Sequence, residues 1–183
     1  MSTLKDQVVH LLLERAYERR AEPFKLSGGG WSHDYVDCRR ALANGDALQL
    51  VGEAVAAAAR DAGVEYEAVG GMTMGADPIA HAVALVAGTR WFSVRKEAKG
   101  HGREKLIEGA DVGSGTRVLV VDDVVSTGRS LLLALDAIDA VGARPVLAVT
   151  LLDRGESTAK ALADRGVAYA PLTTYRDLGI EPI

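Results

Sequence analysis

Val118 to Ser130, VLVVDDVVSTGRS, decides how the rest of the chain is read. Val118, Leu119, Val120 and Val121 are apolar and mostly β-branched, with no polar alternation, which predicts a parallel-sheet strand covered on both faces. Asp122 and Asp123 end that strand. Beyond Val124 and Val125, the hydroxyl-and-glycine turn Ser126-Thr127-Gly128-Arg129-Ser130 leads into Leu131, Ala134, Leu135 and Ile138, spaced as one face of a helix. Backbone N–H groups at a helix start, backed by the macrodipole, favour an anion, and phosphate is the natural occupant. A nucleotide P-loop needs a Gly-Lys-Ser/Thr ending and a dinucleotide fold needs GxGxxG after its first strand; neither is present. A strand whose acids merely cap the next helix leaves the paired carboxylates and the hydroxyl-rich turn unexplained.

On the C-terminal side, Gly142 closes the helix, Pro145 to Leu152 predicts a strand, Glu156 to Arg165 a helix ended by Gly166, and Val167 to Leu172 a last strand. On the N-terminal side, Thr89 to Val94 predicts a strand, preceded by a helix from Asp77-Pro78 to Ala87 with Asp77 as N-cap and Ile79, Val83 and Val86 inward. Thr73-Met74-Gly75-Ala76 turns from the strand Val64 to Met72 into that helix, and offers a second backbone site for an anion. Asp46 to Ala62, capped by Asp46 and closed by Gly63, is a helix, as is Thr3 to Arg20 with Thr3 as N-cap. Between them, Phe24 to Arg40 (FKLSGGGWSHDYVDCRR) reads as a loop and a short strand. Its glycines suit either a hairpin turn or close approach to a ligand, and the residues alone leave both open. Strands alternating with helices through short turns give a parallel α/β sheet, whose ligands bind beyond the carboxyl ends of the strands. The turns after Met72, Val94, Val121 and Leu152 therefore converge on one rim.

Arg95 to Gly115, RKEAKGHGREKLIEGADVGSG, has no sustained periodicity, and compact domains seldom leave such a length irregular without a functional reason. Arg95, Lys96, Lys99, Arg103 and Lys105 stand against Glu97 and Glu104, a cationic loop in a chain of net charge -4. With Gly100 and Gly102 inside it, the loop reads as a mobile lid for a polyanion. An acidic chain of 183 residues, 48% hydrophobic and 25% charged, fits a single soluble domain over 1-183 with no general affinity for nucleic acid. Cys38 has no disulfide partner and no metal-ligand spacing, which suits a cytoplasmic protein. No membrane-spanning run or secretory signal is apparent, and His10, His33 and His81 read as surface or packing residues.

The Val118 to Ser130 stretch resembles the phosphoribosyl-pyrophosphate (PRPP) signature of type I phosphoribosyltransferases. Arg95 to Gly102, RKEAKGHG, closely resembles the RKExKxHG loop of orotate phosphoribosyltransferases, and the likeness continues through FKLSGGG, DYVDCRR, MGADPIA and Leu151-Leu152-Asp153-Arg154. The resemblance implies a five-stranded parallel sheet flanked by helices (core 46-183), a small N-terminal hood (mainly 1-45), a mobile loop (95-115) and a homodimer whose loop is shared across active sites. It implies that Ser126 to Ser130, with Val124 and Val125, bind the 5'-phosphate side of PRPP, that Asp122 and Asp123 face the ribose hydroxyls, and that Thr73, Met74, Gly75 and Ala76 form the pyrophosphate turn. Arg95, Lys96, Lys99 and His101 look like pyrophosphate-contacting loop residues, with Arg95, Lys99, His101 and Asp123 as the catalytic set. Arg154 resembles the arginine that meets the carboxylate of orotate, with Ser126, Tyr35 and Val36 as further base contacts. Two positions depart from the pattern: Gly75 and Ser27 stand where some members have lysine, and Lys25 is the candidate substitute for the latter.

The activity implied is transfer of ribose 5-phosphate from PRPP to orotate, with Mg²⁺ as cofactor held through Asp122 and Asp123 by way of ribose hydroxyls or water. A phosphoribosyltransferase for uracil or a purine would keep the PRPP signature but lack the RKExKxHG loop. A PRPP-binding regulator would ordinarily carry a nucleic-acid-binding face, against which the acidic charge and the presence of Lys99 and His101 both argue.

Overall fold

The computed structural model describes residues 2–25, 30–97 and 106–183. The elements in order are α1 (Leu4–Arg15), β1 (Tyr17–Lys25), β2 (Trp31–Val36), α2 (Cys38–Ala41), α3 (Gly45–Asp61), β3 (Ala68–Met72), α4 (Asp77–Ala87), β4 (Arg90–Val94), β5 (Ile107–Gly109), β6 (Arg117–Val125), α5 (Arg129–Ala140), β7 (Arg144–Asp153), α6 (Thr158–Asp164) and β8 (Tyr169–Thr174). The main sheet runs β5-β4-β3-β6-β7-β8. Five strands are parallel, as expected, but β5 is a sixth that pairs antiparallel with β4 through Phe92↔Gly109 and Val94↔Ile107. This short edge strand falls in the segment whose sequence shows no periodicity. Its conformation is imposed by pairing with β4, not by its own pattern.

Val118 to Val121 are fully buried, each contributing about 1.5–3 kcal/mol on the transfer scale. Their two faces join two apolar layers: Leu119 and Val121 pack with Val69, Ile79 and Val149, and Val118 and Val120 with Phe92, Leu135 and Ile138. Asp122 and Asp123 do not end the strand, as the sequence predicts, but lie within it, because β7 continues to pair as far as Val125↔Asp153. On its other side β6 pairs with β3 only at Ala68↔Val118, Val69↔Leu119 and Gly70↔Val120. The last five residues of β6 therefore overhang β3. With β4 on the far side of β3, the gap is the switch point at which parallel sheets bind ligands.

The N-terminal helix stops at Arg15, short of the expected Arg20, while Thr3 caps it in a reciprocal box with Asp6. Tyr17 to Lys25 instead pairs antiparallel with Trp31 to Val36, so that sheet hydrogen bonds outweigh the local helix preference of Glu18, Arg19 and Arg20. The hairpin is thus the observed outcome at the glycine-rich stretch, of which Leu26 to Gly29 lie outside the described residues. Asp46 does not cap α3; Asn44 is the N-cap, and the Asp46 carboxylate takes both terminal amino groups of Arg15, at 3.2 and 2.9 Å. Val8, Leu11 and Leu12 of α1 pack into the layer that holds Val51 and Val55 of α3. Among the described residues, no helix is long and apolar enough to cross a membrane.

Candidate active site

A cavity of about 930 Å³ opens over the β3/β6 gap. From the core it is lined by Met72, Thr73, Met74 and Gly75 after β3, by Ser93, Arg95 and Lys96 at the end of β4, and by Asp122, Asp123, Val124 and Ser130. The hairpin supplies Tyr35 and Val36, and Asp37, Cys38 and Arg39 follow them. These elements meet because β3 allows close backbone approach. A Cβ on Gly71 would run into the carbonyl of Val121 and the Ala76 side chain, so the turn after β3 lies directly against β6.

The turn is fixed by polar contacts of its own. Thr73 N donates to Val94 O (2.8 Å), Thr73 Oγ1 donates to Asp77 Oδ2 (2.6 Å), and Ser93 Oγ donates to Asp77 Oδ1 (2.6 Å). Asp77 is therefore not the N-cap; Ala76 is, with no side-chain hydrogen bond, because both carboxylate oxygens serve the turn and β4. The Thr73–Met74 peptide bond is cis.

Asp122 and Asp123 are held differently. Asp122 is buried and its Oδ1 accepts from Asp123 N (3.0 Å), while Asp123, half-exposed, accepts from Val124 N (2.8 Å). Burial first, and the neighbouring Asp123 second, push the Asp122 carboxyl up to about 8. The upward direction is the cost of placing a charge where little water reaches it. Val125 is buried, Ser126 half-buried, and Thr127, Arg129 and Ser130 exposed where α5 begins after Gly128. Of this turn Ser130 lines the cavity, and Ser126, Thr127, Gly128 and Arg129 do not.

Arg95 N donates to Leu106 O (2.8 Å) and Nη1 pairs with Glu108 (3.3 Å), which ties both ends of the basic segment to the β4/β5 edge. Lys99 and His101 lie outside the described residues, as does Ser27. Lys25 is exposed at the end of β1 and does not line the cavity.

Arg154 also stays out of the cavity lining. It is buried, donates from Nη1 to Asp34 O (2.7 Å) and from Nη2 to Ser32 Oγ (3.4 Å), and its Nε has no partner among the described residues. The guanidinium thus fastens the end of β7 to the hairpin. Asp34 in turn accepts on one oxygen from Tyr17 OH and Arg19 Nη1, both at 2.9 Å. Beside Arg154, the buried Asp153 accepts from Gly155 N (2.9 Å) and from Tyr169 OH (2.8 Å), which also contacts Thr150 Oγ1 (2.8 Å). A Cβ on Gly155 would collide with the Ser126 carbonyl, so the Arg154 turn and the hydroxyl-rich turn are in backbone contact.

The sequence alone gives Asp37, Cys38 and Arg39 no site role, because α2, Cys38–Ala41, is too short to show a period. Their position immediately after Tyr35-Val36 was the available signal. Above the hairpin, the Arg20 guanidinium lies 4.2 Å from the Tyr35 ring centroid and 4.9 Å from that of Phe24.

Comparison with known proteins agrees with this geometry. Residues 41–167 match the phosphoribosyl transferase domain family. The chain is 39% identical to an orotate phosphoribosyltransferase of Rhodopirellula baltica over 180 residues, covering 93% of this chain and 92% of the relative. The crystal structure of Mycobacterium tuberculosis orotate phosphoribosyltransferase with Fe(III) dicitrate superimposes with a TM-score of 0.84 at 36% identity, covering 97% of this chain and all of that one. That enzyme's complex with PRPP gives 0.80 at 34% identity, with the same coverage. Sequence likeness along nearly the whole chain, joined to superposition over 97% of it, makes this chain a member of the orotate phosphoribosyltransferase family, with the type I phosphoribosyltransferase fold.

Proposed function

We propose that the cavity transfers the ribose 5-phosphate of PRPP to N1 of orotate, releasing pyrophosphate and orotidine 5'-monophosphate for pyrimidine biosynthesis. The overhang of β6 carries this reading: it sets Asp122, Asp123 and Ser130 in one cavity with the Thr73–Gly75 turn and with Tyr35. The PRPP complex of the M. tuberculosis relative supports the same donor.

Loss of pyrophosphate from the anomeric carbon leaves positive charge on the ribose, so fixed charges and positioning dominate catalysis. Asp123 faces that charge, while the buried Asp122 orients a ribose hydroxyl by hydrogen bonding to it. Ser126 to Ser130 receive the 5'-phosphate at the start of α5, and the Thr73–Ala76 turn receives the pyrophosphate. Arg95, Lys96, Lys99 and His101 neutralise the leaving oxygens and exclude water. Tyr35 and Val36 cover the base, and Arg154 would meet the orotate carboxylate by exchanging its hairpin contacts with Asp34 O and Ser32 Oγ for it. Two neighbouring carboxylates, Asp122 and Asp123, suit Mg²⁺ held mainly through substrate oxygens and water, where it would neutralise the leaving pyrophosphate. Leu85, 86% exposed on α4, and the partly exposed Trp91, which also lines the cavity, offer an apolar face for a second copy in a homodimer. A single thiol, buried at Cys38, suits a cytoplasmic setting.

An ultraviolet assay of base consumption with PRPP and Mg²⁺ tests the proposal, with uracil, adenine and hypoxanthine run beside orotate. Orotate alone is consumed, and Lys99→Ala lowers kcat by about a hundredfold or more, the scale of losing a cation that stabilises a transition state. Consumption of a different base would overturn the assignment.

A further inference from the structure

We propose that Arg39 is a substrate-binding residue, its free guanidinium edge engaging the pyrophosphate group of PRPP from the hairpin side of the cavity that the Thr73–Gly75 turn also lines. The inference rests on the phosphoribosyl transfer proposed above.

Arg39 lines the cavity together with Tyr35, Gly75 and Asp123. Asp37 holds one edge of it: Oδ1 accepts from Arg39 N at 3.2 Å and from Nε at 3.3 Å. That anchor restrains the guanidinium and leaves its two terminal amino groups without a protein partner among the described residues. Such a fork matches two phosphate oxygens. The side chain is 55% exposed, so ligand can still reach it. Asp123 adds to the effect of Asp37 in raising the Arg39 pKa, although no ion pair joins Arg39 to Asp123.

Gly75 leaves the turn without a side-chain cation. A Cβ there would meet the Asp123 carboxylate, so a longer side chain on the turn must displace the acid that faces the ribose. The turn therefore contributes backbone but no charge. Of the other described cations in the lining, Arg95 is already engaged with Glu108 and with Glu97 O, and Lys96 is a point charge. Arg39 alone among them presents two unengaged donors in one plane.

The test compares the wild type with Arg39→Ala, Arg39→Lys and Arg40→Ala. Arg40 is exposed, outside the cavity lining, and paired at 3.7 Å with Glu18, so it controls for general surface charge. Calorimetric titration with inorganic pyrophosphate and Mg²⁺ is run beside steady-state KM values for PRPP and orotate. Arg39→Ala weakens pyrophosphate and raises the PRPP KM by about tenfold each, the equivalent of one charge-assisted hydrogen bond, while the orotate KM stays within about twofold. Arg39→Lys restores only part of the loss, and Arg40→Ala matches the wild type. Unchanged pyrophosphate affinity in Arg39→Ala, an equal loss in Arg40→Ala, or a rise confined to the orotate KM would each overturn the inference. If the wild type fails to turn over orotate with PRPP, the transfer reading itself is lost, and this inference with it.

Discussion

The two walls of the cavity are built by different means. The wall of Thr73–Ala76 and Asp122–Ser130 grows out of β3 and β6, central strands whose backbones approach so closely at Gly71 that no side chain fits. The other wall, the β1–β2 hairpin with α2, is a separate two-stranded sheet with mostly exposed or half-exposed residues, fastened through Arg154 and the buried Asp34. One wall is backbone packed in a sheet and the other is an attachment made by side chains. The first keeps a fixed shape for a phosphorylated sugar, while the second can alter its grip on a base without disturbing the core.

The largest effect expected from this contrast is on the sheet wall. Gly71→Ala forces a Cβ against the Val121 carbonyl and lowers stability by about 3 kcal/mol, read from the urea midpoint. An unchanged midpoint would show that this wall yields as readily as the other. Arg154→Ala is next: it removes charged hydrogen bonds to Asp34 O and Ser32 Oγ and costs about 2 kcal/mol. Hydrogen exchange then quickens in β1 and β2 while β3 and β6 keep their protection; equal quickening in both would erase the distinction.

Tyr169→Phe tests the support beneath Arg154. It deprives the buried Asp153 of a donor and costs about 1–2 kcal/mol. Burial already raises the Asp153 carboxyl above its ordinary value, so the folded state keeps a proton that the unfolded state releases, and stability falls as pH rises above about 4. Without the Tyr169 hydroxyl, which favours the charged form, the folded value climbs further and the deficit of the variant widens with rising pH. A deficit that is constant from pH 4 to 8 would remove Asp153 from the account. The smallest effect belongs to Arg20→Ala, which releases Tyr35 from its cation and raises the orotate KM by about two- to fivefold with the PRPP KM unchanged. A change in the PRPP KM instead would tie this stack to the sheet wall.

The same contrast explains what the sequence disclosed. The sheet wall is local: strand, acids, turn and helix follow one another from Val118 to Ile138, and apolar runs and turn chemistry declare each of them. The hairpin wall depends on partners distant in the chain. Tyr17 to Arg20 look helical by themselves and become strand only through pairing with β2, and Arg154 finds its carbonyl partner at Asp34, far back in the sequence. The same holds for β5, which takes its form from β4. Asp-Pro predicts a cap at Asp77, yet its oxygens answer to Thr73 and Ser93 across a strand end. Gly75 is visible as a departure, but the Asp123 carboxylate that a side chain there would meet is not.

The order of strands bears on more than the cavity. An open sheet has two flanks at which a foreign chain can add itself, the first step toward insoluble assemblies. Here one flank is β5, only three residues long, and the other is β8, which carries Pro171 in its middle. Proline has no N–H to offer an incoming strand, and a three-residue template gives it little to hold. The sheet that shapes the catalytic cleft is thereby guarded at both flanks against recruiting its own kind.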